Sequence, residues 1–190
     1  MPVEKKILCI SHHENAELGI MESFFEQNNF SIHIVQPLSN FTLPTNFSNY
    51  SGIVILGGAM NVADTDEFPG LKKELTWINH LLKINIPVIG ICLGAQLIAK
   101  VCGARVSNHK DDLVEIGYKN VIFKNQTFFS ENCPQKVYHW HSQGFTLPIN
   151  AELIACNSTF NVQAFRINEK IFGFQFHPEV IESMILNWNE

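Results

Sequence analysis

Three short runs in the first half of the chain, 6–10, 52–58 and 86–91, are almost wholly apolar and show no polar alternation. A strand of that kind offers no face to water and is buried on both sides, which is the mark of a parallel sheet. Between the runs lie two segments with helical patterning, 16–28 and 69–83. In the second of these Leu71, Leu75, Ile78, Leu81 and Leu82 recur near a 3.6-residue period. Strand and helix therefore alternate, and a parallel sheet covered by helices is expected. The stretch 36–50, rich in Ser, Asn, Thr and Pro, reads as a loop. The second half changes character. Runs at 114–123, 136–140, 152–156, 162–167 and 171–176 are short, β-branched or aromatic, and separated by turn residues. The last two flank Asn168-Glu169-Lys170, which predicts a hairpin ending at His177, followed by a short helix over 179–188. The expected fold is α/β: a mostly parallel central sheet flanked by helices, with additional antiparallel strands in the second half. With 190 residues and 46% hydrophobic content, one domain spanning 1–190 is expected.

Charge and cysteine usage exclude several functions. The net charge is −5 and no Lys/Arg cluster occurs, so nucleic acid and anionic membrane are not expected partners. No apolar stretch of ~20 residues is present, and the first residues lack a signal-peptide pattern, so a cytoplasmic location is expected. Cysteines at 9, 92, 102, 133 and 156 are odd in number and widely spaced, which fits neither a disulfide framework nor a zinc site of paired cysteines. His139 and His141 alternate on a predicted strand and share a face, but no third ligand is spaced nearby, and no metal or cofactor is expected. The pairs His12-His13 and Asp111-Asp112 read as solvated loop residues.

One cysteine stands apart. Gly90-Ile91-Cys92-Leu93-Gly94 follows a buried strand and precedes a helical segment, 95–101, the setting of a nucleophile elbow. The turn brings backbone close on both sides of the nucleophile, so side chains two before and two after it would clash. A thiol there also sits at a helix N-terminus, which favours the thiolate. Such a nucleophile needs a base and the base needs an orienting group. Phe176-His177-Pro178-Glu179 supplies both: Pro178 stiffens the turn, and Glu179 reaches the imidazole from behind. Gly57-Gly58 closes another buried strand, and the following turn, Ala59-Met60-Asn61, has free amides that would face the same sheet edge. One of these amides, with that of Leu93, would bracket an oxyanion.

These motifs resemble the class I glutamine amidotransferase family over nearly the whole chain. The resemblance is carried by 55–60 (ILGGAM), 87–99 (PVIGICLGAQLIA), Glu115-Ile116-Gly117, His139-Trp140-His141, Gln163-Ala164-Phe165 and 173–180 (GFQFHPEV). It implies a flavodoxin-like fold, a Cys92, His177 and Glu179 triad, oxyanion amides at Gly58 and Leu93, and Gln96 against the substrate glutamine. Met60, Ser142 and Gln143 are the further expected substrate-side residues. Within the family the chain most resembles stand-alone GMP synthase-like glutaminases, which implies glutamine or a γ-glutamyl compound as substrate and a separate synthase partner that accepts ammonia. No P-loop pattern is present. His141-Ser142-Gln143 stands where many members have His-Gly-Asp, in the loop beside the α-groups of glutamine, and Ala59 stands where proline is frequent. Two alternatives follow: a γ-glutamyl peptide hydrolase with the same triad, and a non-catalytic regulatory or binding subunit.

Overall fold

The computed structural model describes residues 5–13, 17–38, 42–124 and 133–188. In chain order the elements are β1 (Lys5–Ile10), α1 (Ile20–Gln27), β2 (Phe30–Val35), β3 (Tyr50–Ile55), α2 (Pro69–Leu81), β4 (Val88–Ile91), α3 (Leu93–Val101), β5 (Val106–Asn108) and β6 (Glu115–Asn120). They continue with β7 (Ile122–Phe123), β8 (Lys136–His141), β9 (Gln143–Phe145), β10 (Glu152–Cys156), β11 (Ala164–Ile167), β12 (Ile171–Phe174) and α4 (Glu182–Trp188). An eight-stranded sheet runs β2-β1-β3-β4-β12-β11-β10-β7. The five strands from β2 to β12 are mutually parallel, and β11, β10 and β7 continue as an antiparallel wing. The parallel part has the flavodoxin-like order, whose ligand sites lie beyond the carboxyl ends of the strands. Two antiparallel ribbons, β5 with β9 and β6 with β8, stand outside this sheet.

The missing polar alternation has a direct structural counterpart. On β1, Leu8 and Ile10 pack with Leu71, Ile78 and Leu81 of α2 and Leu97 and Ile98 of α3. Ile7 and Cys9 point the other way, into a second cluster with Leu18 and Phe25. Both faces of the central strands are covered, and both residue sets are apolar.

Several expected boundaries move. Strand β2 was not anticipated: it is an edge strand, and its exposed His33 and Ile34 interrupt the apolar run. Helix α1 begins at Ile20 rather than at 16, because Gly19 adopts φ 55° and breaks the pattern, while residue 16 itself lies outside the described residues. The strand expected at 114–123 divides into β6 and β7, which belong to different sheets. The hairpin around 168–170 forms, with Ile167 opposite Ile171, but β12 ends at Phe174. His177 makes an isolated antiparallel bridge to Tyr138 instead. The last helix, α4, starts at Glu182, three residues later than expected.

The elbow glycines are needed for packing. A Cβ at Gly94 would overlap the Ile55 carbonyl oxygen, and one at Gly90 would lie 2.8 Å from the Ala95 nitrogen. Gly94→Ala is therefore expected to lower stability by about 1–3 kcal/mol or more through overpacking against backbone that cannot move aside. Gly117, at φ 82° with open space around its α-carbon, serves as the control. Gly117→Ala should cost only about 1–2 kcal/mol of backbone strain. Denaturant midpoints of the two variants will separate the effects, and equal, small losses would show that the elbow tolerates a side chain.

Candidate active site

The carboxyl ends of β1, β3, β4 and β12 meet at one edge of the sheet, and each delivers a polar or glycine-rich segment there. Strand β4 runs straight into Cys92, which sits at φ 48° and ψ −108° as the N-cap of α3. A positive φ in a non-glycine residue is strained, and here three backbone hydrogen bonds hold it. The Cys92 N–H donates to the Phe174 carbonyl of β12 at 2.7 Å, the Gly94 N–H to the Leu56 carbonyl at 3.2 Å, and the Gln96 N–H to the Cys92 carbonyl at 3.0 Å.

His177 lies just beyond β12. Its backbone N–H donates to the Tyr138 carbonyl of β8 at 2.8 Å, and its ring packs edge-on against Trp188 of α4 with centroids 5.0 Å apart. Nδ1 lies 2.8 Å from Glu179 Oε1, so Nδ1–H donates to the carboxylate and Nε2 is left for other work. Burial alone would lower the His177 pKa, but the adjacent Cys92, as charge and hydrogen-bond partner, and the Glu179 carboxylate reverse this and push it up to about 10. Glu179 is itself anchored from outside: its carbonyl accepts the Ile20 N–H at 2.9 Å, at the start of α1, where a side chain on Gly19 would overlap it. Gly57 fills the gap between these groups. A Cβ there would lie 3.0 Å from His177 Cε1 and 3.4 Å from Cys92 Cβ.

These residues line a cavity of about 1110 Å³, together with Gly58, Met60, Gln96, Ser142 and Gln143. Every residue expected to touch substrate or oxyanion, apart from Leu93, borders it. Leu93 lies directly beneath, 1% exposed, as the first residue of α3. Among the described residues neither the Gly58 nor the Leu93 N–H has a backbone acceptor. Gln96 is turned inward: its amide nitrogen donates to the Gln143 carbonyl and to Gln175 Oε1, both at 3.2 Å. The Gln143 side chain donates to Asn108 Oδ1 at 2.9 Å, across the β5–β9 ribbon.

Two features were not anticipated. Gln175 lies within the motif 173–180, yet its position became evident only in the fold: its amide nitrogen is 3.8 Å from Cys92 Sγ. The second is a correction. His12 is not a solvated loop residue but fully buried, held by Glu74 of α2, a partner too distant in sequence for spacing to reveal. Its neighbour His13 is exposed, as are Asp111 and Asp112.

The fold also supplies the third neighbour that spacing did not offer for His139 and His141. Glu115 Oε2 lies 3.4 Å from His139 Nδ1 and 3.2 Å from His141 Nε2, and the two imidazole nitrogens are 3.2 Å apart. Among the described residues these three are the set with the donors to surround a metal ion. Part of the set is also held from outside it. Glu115 accepts amide N–H groups from Asn157 at 2.7 Å and Gln163 at 2.8 Å, and His141 Nδ1–H donates to the Gln143 carbonyl at 2.9 Å. The three side chains tie β6 to β8 as a brace, in which His139 Nε2 has no hydrogen-bond partner among the described residues. Burial would raise the Glu115 pKa, but the hydrogen bond from His141, both imidazoles and Asn157 outweigh it and hold the carboxyl down to about 2. Burial pushes His139 down to about 4.

Comparison with known proteins identifies the family. The model of the family described as glutamine amidotransferase class-I matches residues 19–184, and the chain belongs to that family. It is 30% identical over 133 residues to a subunit of the glutamine-hydrolysing GMP synthase of Methanococcus aeolicus, covering 68% of this chain and 64% of the relative. The corresponding GMP synthase subunit of Picrophilus torridus is 37% identical over 133 residues, covering 68% of this chain and 67% of that one. The chain thus spans about two thirds of the length of these relatives. Among solved structures, a glutamine amidotransferase from Thermotoga maritima superposes with a TM-score of 0.89 at 34% identity, covering 97% of this chain and 80% of that one. No helix among the described residues is long and apolar enough to cross a membrane.

The brace gives a pH prediction. Because the folded Glu115 pKa lies below its ordinary value of 4.5, the unfolded chain takes up the proton first on acidification. Its contribution to stability is complete above pH 4.5 and is lost as pH falls through about 2. Glu115→Gln should be less stable than wild type at pH 7 and lose less on going to pH 3. Denaturant midpoints at the two pH values test this, and parallel losses in both proteins would refute it.

Proposed function

We propose that the chain hydrolyses the γ-carboxamide of glutamine and releases ammonia for use by a separate synthase subunit. The observation that carries this reading is the His177–Glu179 pair at 2.8 Å beside Cys92 on its elbow, all three opening on one cavity. Both of the GMP synthase relatives are named as subunits, which supports a partner of that kind.

In the proposed cycle Cys92 Sγ attacks the γ-carbonyl carbon as a thiolate, with the proton on His177. The oxygen becomes an oxyanion facing the Gly58 and Leu93 amides, a stabilisation of about 2.7–4 kcal/mol per donor in comparable sites. His177 Nε2 gives its proton to the departing nitrogen as the C–N bond breaks, and ammonia leaves a γ-glutamyl thioester. His177 then takes a proton from water, whose oxygen attacks the same carbon. Glutamate is released and the thiolate is restored. The high His177 pKa suits this start, because the imidazolium is the form that must donate first. Glu179 holds Nδ1–H and keeps Nε2 directed to the sulfur.

A second reading, hydrolysis of a γ-glutamyl peptide, is favoured by one feature. Ser142 and Gln143 place no acid beside the expected α-ammonium position, and Gln143 is tied to Asn108. The intact triad geometry argues against a non-catalytic role.

Three outcomes are expected. Cys92→Ser should lower ammonia release by about 10³-fold or more, and iodoacetamide should inactivate through Cys92 alone. Burial pushes the Cys9 thiol up to about 12 and also raises Cys102 and Cys133, which keeps them protonated. Labelling of another cysteine in step with activity loss would disprove the assignment. Glu179→Gln should reduce kcat less than His177→Ala, since Glu179 orients the imidazole that moves the proton; equal losses in folded variants would place Glu179 in proton transfer. Gln143→Asp should raise kcat/KM for free glutamine by about 5–150-fold, the equivalent of ~1–3 kcal/mol for pairing a polar group. Robust turnover unchanged by the substitution would show that the loop departure is neutral.

A further inference from the structure

Behind the Gly57-Gly58 turn, on the side away from the cavity, lies an ion pair that the proposed cycle does not use. His12, at the carboxyl end of β1, presents Nε2 to Glu74 Oε2 at 2.9 Å and Nδ1 to the Gly57 carbonyl oxygen at 3.1 Å. Both side chains are 0% exposed. The carbonyl only accepts, so Nδ1 carries a hydrogen and donates to it, while Nε2 faces the Glu74 carboxyl. Burial alone would lower its pKa, yet the Glu74 carboxylate and the Gly57 and Leu56 carbonyls more than reverse this and raise it. The other Glu74 oxygen, Oε1, has no hydrogen-bond partner among the described residues. The carboxylate is thus committed to His12.

The Gly57 carbonyl and the Gly58 N–H belong to one trans peptide unit, since the described residues contain no cis bond. In a trans peptide these two groups point in opposite directions. Fixing the carbonyl toward His12 therefore fixes the Gly58 N–H away from it. Contact from a second direction reinforces this: a Cβ on Gly58 would lie 2.8 Å from His12 Cβ and 3.2 Å from Cγ, so the turn rests on the imidazole. A buried ion pair is a weak source of stability, because desolvation offsets most of its attraction and an apolar pair serves as well. Its value here is directional.

We infer that His12, held by Glu74, is a positioning residue that locks the Gly57–Gly58 peptide with its N–H directed at the substrate oxyanion. This rests on the reading of Gly58 as an oxyanion donor, and the test separates the two. Two paired substitutions remove both charges together, so neither leaves a buried ion unpaired. In His12→Leu with Glu74→Met the donor to Gly57 is gone. In His12→Asn with Glu74→Gln the Asn amide can occupy the Nδ1 position and keep it.

Ammonia release from glutamine and anilide release from γ-glutamyl p-nitroanilide are measured for the full chain, beside the rate at which iodoacetamide alkylates Cys92. Alkylation requires the thiolate but generates no oxyanion, so it reports the triad alone. For the Leu/Met pair kcat should fall about 10–100-fold, less than the 10²–10³ lost when an oxyanion donor is removed outright. KM should be unchanged, since the interaction exists only in the transition state. The alkylation rate should stay within about twofold of wild type, and the Asn/Gln pair should recover kcat to within a few-fold. If the Leu/Met pair does not fold, His12→Gln with Glu74→Gln, whose amide is displaced from the Nδ1 position, takes its place with the same expectation. Wild-type kcat in the donor-less pair, a parallel fall in alkylation, or an Asn/Gln pair no better than its counterpart would each overturn the inference. A wild-type chain that is alkylated at Cys92 but releases neither product would instead overturn the glutaminase reading, and this inference with it.

Discussion

The backbone of Cys92 is the constraint on which the rest of the site depends. A cysteine at φ 48° is unfavourable by about 1–3 kcal/mol and persists only where its surroundings over-determine it. Here they do so through the two strands that flank β4. The bond from Cys92 N–H to Phe174 ties the elbow to β12, and the bond from Gly94 N–H to Leu56 ties it to the end of β3. Those same strands lead onward, β12 to His177 and β3 to Gly57. The relative position of nucleophile, base and oxyanion turn is thus set by backbone hydrogen bonds close in sequence to each group, before any side chain contributes.

The second half of the chain serves the same end from outside the sheet. Strand β8 receives the His177 N–H at Tyr138 and carries His139 and His141 into the brace with Glu115. The brace is in turn linked to the main sheet, because Gln163 donates to Glu115 by its side chain and accepts the Gln175 N–H at its carbonyl, 2.8 Å in both cases. The β6–β8 ribbon, which shares no ladder with the central sheet, is thereby locked in register with β12.

What the sequence made legible follows from the range of the interactions. The apolar strands, the elbow and its glycines, and the His177-Pro178-Glu179 turn are encoded within a few residues each, so pattern alone exposes them. The parallel core follows because strands buried on both faces lack polar alternation. Edge strand β2 escaped because His33 and Ile34 face solvent and blur that pattern. The start of α1 escaped because Gly19 takes its conformation from contact with Glu179 across the fold. His12 with Glu74, and Glu115 with the two histidines of β8, escaped for the same reason. Each is a polar residue whose partner lies on another element, and a lone histidine in a loop carries no sign that a carboxylate will meet it in the interior.

The distribution of buried charge bears on why those pairs exist. Among the described residues the buried carboxylates are Glu74, Glu115 and Glu179, at 0%, 3% and 3% exposure, and each faces one or two histidines. Desolvating such a pair costs several kcal/mol per ion, and an apolar pair of similar volume would commonly be as stable or more so. Hydrophobic stabilisation is ample elsewhere in a chain that is 46% hydrophobic and only 16% charged. If stability were the sole constraint, apolar side chains would serve at these positions and the pairs would have no reason to gather. They do gather: His12 touches Gly57, His141 touches Gln143, and the third histidine is His177 itself, and Gly57, Gln143 and His177 all stand on the wall of one cavity at the carboxyl edge of the sheet. An apolar contact holds a group at a distance but does not fix its rotation, whereas a hydrogen bond fixes both. The three pairs therefore stand where orientation of a peptide, an imidazole or a loop carbonyl is the quantity to be controlled, and the stability they forgo is supplied by the apolar clusters on the two faces of the sheet.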